Sequence, residues 1–393
     1  MRLSDNITIA EEVQGIDDYK PKVLMICLCR FGGTLKCASA IASSLNKKTE
    51  IKMMVSSAAD PEILPTDVDL ISINTGKTRV SNIFNTINPI NYLQIITTIN
   101  KIKPDIIHFP VEHAWHIFLH GFLHDYPIVQ TIHDPVRHSG EENPFYDLVR
   151  KVEILNSDRI IVLSERFKES FVKYGVVPGR VDVIPLGVFE LSGNKMIPES
   201  LTLPSFNQNI LFSGRILPYK GIDILIKSFK LLQEKFPKAT LTIAGKGDLS
   251  DYMSLINSTD NIFIINRYVS EDELTQLHTS CDFVVAPYID ASQSAVVALA
   301  LSNGRTVIAT RVGGLPEQIV DGKTGILVDP NDIKQLTEAM ELLLLDTNLN
   351  IRLAKQARVD YMTRFSLDVT AEKTLKTYFR AAEHKETKIR HNK

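Results

Sequence analysis

Apolar runs of strand length alternate with segments of helical period twice along this chain of 393 residues. The first series is KVLMICL, DLISI, DIIHF, PIVQTI, RIIVLS and VDVIP, with amphipathic stretches such as TLKCASAIASSL and INYLQIITTINKI between the runs. Strands and helices in alternation specify a parallel sheet covered on both faces. That series ends near Pro185. A Pro, Ser, Gly and Asn-rich stretch from Leu186 to Asn209 reads as a linker, and a second series follows at NILFS, ATLTIAG, NIFIIN, DFVVAP and RTVIAT. The length is too great for one ordinary core and fits two. The pattern therefore predicts an α/β protein of two doubly wound, Rossmann-like domains, residues 1–188 and 209–365, facing a cleft. Residues 366–393 follow as a terminal helix with a polar tail, for which Ser366 is the candidate cap. In such sheets ligands bind off the carboxyl ends of the strands, so the loops there carry the functional residues.

Composition limits the partners. With 44% apolar and 23% charged residues and a net charge of −2, the chain has no general attraction for nucleic acid, and any anion site must be local. The start, MRLSDNITIAEEV, has neither a basic and apolar leader nor a cleavage site, and no segment reaches spanning length, which predicts a cytoplasmic protein. From Arg380 the tail RAAEHKETKIRHNK is polar and mixed in sign and is expected to fray. Its basic residues offer a weaker alternative, peripheral contact with the inner face of a membrane. Cys27, Cys29, Cys37 and Cys281 lack zinc-site spacing and are expected as thiols, the first two on one face of a strand.

The most telling local pattern is NILFSGRILPYKG, residues 209–221. A strand enters a glycine turn that presents Arg215 and Lys220 just before an amphipathic helix, whose first backbone N–H groups have no intrahelical partner. Two cations beside a helix N-terminus suit a diphosphate. In DASQSAV, residues 290–296, small residues permit close backbone approach, Gln293 and Ser294 offer side-chain donors, and the amides of Ala295 and Val296 open a helix. Gly313 and Gly314 precede Pro316 and Glu317, either to admit a ligand or simply to start a helix. In the first half, Gly32 and Gly33 follow the first strand and His133 follows PIVQT, with His138 and Glu141 in the same loop as secondary candidates. Asp290 is either a ligand to a substrate hydroxyl or a turn former. His113, His116, His120 and His124 recur at helical spacing, but the aromatic and aliphatic residues between them favour a packed helix with a mixed polar stripe over a metal site. Asp67 and Asp69 form a D-x-D leading into a strand, expected as a solvated loop, so no metal ligands are assigned.

These segments together resemble the GT-B fold glycosyltransferases, closest to the retaining enzymes of family 4. The resemblance is specific in the second half and generic in the first. It implies transfer of a sugar from a nucleoside diphosphate sugar to a hydroxyl acceptor such as a saccharide or a lipid-linked glycan, with no cofactor and no metal. It also implies that Arg215 and Lys220 grip the donor diphosphate, that His133 and Asp290 meet the transferred sugar, and that the terminal helix crosses back to the first domain. One departure stands out. Counting back from Gly304, the two family glutamates fall at Ala291 and Leu299, neither of which can bind a hydroxyl, so ribose recognition is unassigned. That gap keeps two alternatives open: a non-catalytic GT-B protein that binds a nucleotide sugar or a partner, and a nucleotide-sugar epimerase of similar fold.

Overall fold

The computed structural model describes residues 20–78, 81, 84–86, 88–135, 143–187 and 207–391. The chain divides between Pro185 and Leu186 and again between Ser366 and Leu367, so the last helix belongs to the same unit as the first strand. In the first unit the strands are β1 Lys22–Cys27, β2 Glu50–Ser56, β3 Asp69–Ile73, β4 Ile106–Phe109, β5 Ile128–Ile132, β6 Arg159–Val162 and β7 Val181–Val183. They form one parallel sheet in the order β3-β2-β1-β4-β5-β6-β7. Its described helices include α1 Gly33–Asn46, α2 Pro89–Ile102, α3 His116–Leu119 and α4 Pro144–Asn156. The second unit holds β8 Asn209–Ser213, β9 Thr240–Ala244, β10 Ile262–Ile265, β11 Phe283–Ala286, β12 Thr306–Thr310 and β13 Gly325–Val328. They too are parallel, in the order β10-β9-β8-β11-β12-β13. Between and after them run α5 Ile222–Gln233, α6 Met253–Asn257, α7 Glu271–Ser280, α8 Ala295–Ser302, α9 Leu315–Gln318, α10 Ile333–Leu345 and α11 Thr347–Arg364, and the chain returns to the first unit with α12 Leu367–His391. Both units are doubly wound sheets, as the alternation predicts.

Two strands escape the sequence pattern. The run EIKMMVS of β2 is interrupted by Lys52, and the four residues of β13 are too few to carry a period. Alternation on β1 sorts the two layers of the first unit. Val23, Met25 and Cys27 pack with Leu35 and Ala38 of α1 and with Ala371 and Tyr378 of α12, while Leu24 and Ile26 meet Ile95 and Ile99 of α2 together with Trp115. Helices α2 and α4 start the same way, each with an Asn-Pro pair whose asparagine side chain accepts the backbone N–H two residues on.

The tail expected to fray from Arg380 instead continues as helix through His391. Ala381 and Ala382 are buried, Arg380 Nη1 lies 2.7 Å from Asp182 Oδ1, and Lys385 Nζ lies 3.6 Å from Asp158 Oδ2. Deeper in the same contact, the buried Tyr378 hydroxyl meets His108 Nδ1 at 2.8 Å, and His108 Nε2 meets Thr131 Oγ1 at 2.9 Å. Two cations of the tail, Arg380 and Lys385, thus have carboxylate partners.

The histidine-rich stretch packs as expected through buried Trp115, Leu119 and Leu123, but part of its polar stripe is turned inward. It is a single α turn followed by a 3₁₀ turn, with His116 and His120 inside and Phe118 and Phe122 outside at 51% and 60% exposure. A buried carboxyl explains it. Glu153 of α4 lies 2.5 Å from His116 Nδ1 and accepts the His113 backbone N–H at 3.1 Å. Burial pushes His113, His116 and His120 down to about 3, so the rings are neutral, and burial pushes Glu153 up to about 9, with Glu112 adding to the shift. A carboxyl protonated in the folded chain but ionised in the unfolded one makes the unfolded state bind fewer protons between the two pKa values. Its contribution to stability therefore falls as pH rises from about 4.5 toward 9. Glu153→Gln removes that titration, so its stability relative to the parent should improve steadily from pH 5 to pH 9 in urea unfolding. A constant difference across that range would show that Glu153 is ionised in the folded protein.

Candidate functional site

In the second unit the strand order reverses at β8, whose neighbours are β9 on one side and β11 on the other. The loops leaving β8, β11 and β12 at their carboxyl ends, 214–221, 287–294 and 311–314, are therefore neighbours. Two glycines let them touch. Gly221 has φ 66°, and a Cβ there would lie 2.0 Å from the Pro287 carbonyl oxygen; Gly313 has φ 51°, and a Cβ there would lie 1.3 Å from the Ala291 carbonyl oxygen. Only glycine satisfies both the left-handed backbone and the contact. The Gly313 surface considered for a ligand is thus occupied by the neighbouring loop. The Ile289 backbone N–H adds a bond to the Tyr219 carbonyl at 2.7 Å.

Arg215 is exposed and Lys220 half-buried, separated by a short 3₁₀ turn, Pro218–Lys220, that leads into α5. Lys220 Nζ stands 3.6 Å from the centroid of the Tyr288 ring and 4.9 Å from that of Tyr219. Burial pushes the Tyr288 hydroxyl up to about 12, so the ring is neutral. Its hydroxyl is 3.1 Å from Ser294 Oγ, and its carbonyl accepts Thr310 Oγ1–H at 2.5 Å.

Ser294 requires a correction. Expected as a side-chain donor to substrate, it is 3% exposed, and its Oγ caps α8 by accepting the Val297 N–H at 3.3 Å. Gln318 holds its backbone on both sides, accepting the Ser294 N–H at 2.8 Å and donating to the Ser294 carbonyl at 3.1 Å. Ser294 is a structural cap that aims the helix. The amides left at its mouth are those of exposed Ala295 and half-buried Val296. Gln293 Oε1 accepts the Leu186 N–H at 3.0 Å, where the chain enters this unit. Asp290 is half-buried in the same loop. Ala291 and Leu299, at the family's glutamate positions, are both buried. Sequence reasoning missed Tyr288, Tyr219 and Gln318; the signal for Gln318 was a buried amide in PEQI, indistinguishable there from a helix-start residue.

In the first unit the order reverses between β1 and β4. Gly32 and Gly33, after β1, are exposed, and a Cβ on Gly33 would meet nothing within 4 Å. Packing gives no reason for Gly33. Half-buried His133, after β5, donates from Nε2 to the Pro110 carbonyl at 3.0 Å, which places its ring beside the loop after β4. Arg150 of α4 braces the same two loops, with a bidentate pair to Glu112 at 2.7 and 3.1 Å and a bond to the Pro135 carbonyl at 3.0 Å. His138 and Glu141 lie outside the described residues. The Cys27 and Cys29 sulfurs are 3.2 Å apart, both free thiols. Asp69, at the amino end of β3, pairs with Lys52 at 2.5 Å, and Asp67 accepts the Ser43 hydroxyl at 2.6 Å, so the D-x-D lies at the edge opposite the strand-end loops. Among the described residues no group of three or more acidic, His or Cys side chains could hold a metal, and no helix is long and apolar enough to cross a membrane.

Two family models match adjacent parts of the chain: glycosyltransferase family 4 over residues 38–189 and glycosyl transferases group 1 over residues 195–360. The chain belongs to the family 4-like GT-B glycosyltransferases. Among curated relatives, D-inositol 3-phosphate glycosyltransferase of Mycobacterium bovis is 28% identical over 256 residues, 62% of this chain and 52% of that protein. The chain thus spans about half the length of the curated relatives it matches. HepE of Anabaena, solved in complex with UDP-glucose, superposes with a TM-score of 0.73 over 91% of this chain and 99% of that one at 18% identity. Sucrose-phosphate synthase of Thermosynechococcus elongatus gives 0.71 over 91% and 98%, also at 18%. At such identities the likeness establishes the fold alone. In this GT-B chain, Gly221→Ala should lower the melting temperature, since the Pro287 loop must retreat. A normally stable variant would mean that the loop contact is dispensable.

Proposed function

We propose that this chain transfers a sugar from a nucleoside diphosphate sugar to a hydroxyl acceptor, with retention of anomeric configuration and without a metal ion. The main support is the pairing of the Arg215 and Lys220 turn with the amino end of α8 at the strand reversal, held together by the Gly221–Pro287 contact. Cations in that turn and the amides that start α8 on the neighbouring loop suit the charge that builds on a departing diphosphate. Asp290, in the loop after β11, is the candidate ligand to a sugar hydroxyl; within the first unit, His133 and the Gly32–Gly33 turn lie at the carboxyl ends of their own sheet, where an acceptor would bind. In the retaining step the anomeric carbon's bond to the diphosphate oxygen breaks as a bond to the acceptor oxygen forms on the same face. The acceptor's proton passes to the leaving phosphate oxygen, so no side-chain base is required. HepE's complex makes UDP-glucose the first donor to try. A saccharide or lipid-linked glycan is the acceptor class, and the inner face of the membrane is a place where the latter would be met.

Arg215→Ala and Lys220→Ala should each slow transfer by about a hundredfold, the roughly 3 kcal/mol lost with one preorganised donor to a developing anion. The double variant should lose less than the product, because both cations act on one diphosphate. Arg215→Ala should leave the melting temperature unchanged, since the side chain is exposed. Lys220→Ala should lower it slightly through loss of its ring contacts. Parental rates in both variants would show that the diphosphate binds elsewhere.

Transfer should also survive excess EDTA; loss of activity restored by added magnesium or manganese would overturn the metal-free proposal. The absent glutamates favour a second reading, a non-catalytic nucleotide-sugar binder. Release of nucleoside diphosphate from donor only in the presence of acceptor supports the transferase, and binding without release in a broad acceptor screen supports the binder.

A further inference from the structure

Lys220 lies against two aromatic faces. Its ammonium sits 3.6 Å from the Tyr288 ring centroid, inside the range where a ring's negative face attracts a cation, and Tyr219 offers a second face at 4.9 Å. The Tyr288 ring is 1% exposed and is pinned by its hydroxyl at Ser294 Oγ, while its backbone carbonyl accepts from Thr310. Tyr219 is tied to the same loop by the Ile289 N–H. Lysine has a flexible four-carbon stem, and ordering it when a ligand arrives costs entropy that a preplaced ammonium has already lost. Tyr288 also ends on the residue that caps α8, so one rigid ring connects the cation to the helix mouth, the two halves of the proposed anion site.

We propose that Tyr288, assisted by Tyr219, is a positioning residue for Lys220: an aromatic cradle that holds the ammonium in register with the α8 amides before a nucleoside diphosphate binds. This rests on the assignment of Lys220 to the diphosphate made above. The ring acts through Lys220 and makes no contact with the reacting atoms.

The test is a double-mutant cycle on equilibrium binding of UDP, GDP or ADP, whichever the parent binds most tightly, measured by calorimetry on the full chain. Tyr288→Phe keeps the ring and should bind within about twofold of the parent. Tyr288→Leu removes the face and should weaken binding about tenfold, yet in a Lys220→Ala background the same change should cost less than twofold, because the cation it positions is gone. An equal loss with and without Lys220 would overturn the proposal in favour of simple packing, and so would a Phe variant as weak as the Leu variant, which would make the Ser294 bond the cause. If Tyr288→Leu fails to fold, Tyr219→Leu, at a half-buried ring, runs the same cycle and should show a smaller loss that again depends on Lys220. Lys220→Ala binding nucleotide as the parent does would remove the diphosphate assignment and this proposal together. Weak binding by Lys220→Ala with parental binding by Tyr288→Leu would overturn this proposal alone.

Discussion

The second unit depends on backbone meeting backbone. Where Gly221 faces the Pro287 carbonyl and Gly313 faces the Ala291 carbonyl, loops from three adjacent strands are packed closer than any side chain would allow. Parallel strands bring their carboxyl ends to one edge of the sheet, but that alone leaves three independent loops. The glycine contacts make them one surface, on which the Lys220 ammonium, the Tyr288 ring and the start of α8 have fixed relations. Preorganisation of this kind is what a site for a developing anion requires, since donors that must move on reaction lose much of their effect.

Much of this was legible in the sequence, and the limit has a physical origin. Period and alternation disclosed both sheets because burial on two faces imposes a composition that few other folds share. The motif SGRILPYKG disclosed the cations because glycine, charge and helix start sit within ten residues. Relations between distant segments left no such trace. Gly313 looks like a residue that makes room for a ligand, and only the fold shows the room filled by residue 291. Ser294 looks like a donor, and only the fold shows Gln318, twenty-four residues on, holding it as a cap. Tyr288 looks like the end of an apolar strand until Lys220 is seen above its ring.

The first unit places polar groups where apolar ones would serve for packing. Glu153 and His116 share a bond with no exposure to solvent, and one helical turn away Arg150 ties the loop after β4 to the loop after β5. Neutral partners at Glu153 and a charged, bidentate pair at Arg150 use the same helix for two different electrostatic regimes. Both bind loops at the carboxyl edge of the sheet, where His133 already leans on Pro110. Helix α4 is thereby a splint for that edge.

Helix α12 gives the chain an unusual order of assembly. The first unit contains the earliest strand and also the last helix, whose Tyr378 reaches the interior hydrogen bond with His108. During synthesis the second unit has all its elements once residue 366 has emerged, whereas the first, begun some two hundred residues sooner, still has one face of its sheet without the apolar cover of Ala371, Tyr378 and Ala381. The portion made first is completed last. A nascent chain of this topology therefore carries an open apolar layer throughout the making of its second half, and any arrest before the final helix leaves that layer available to chaperones and to other unfinished chains.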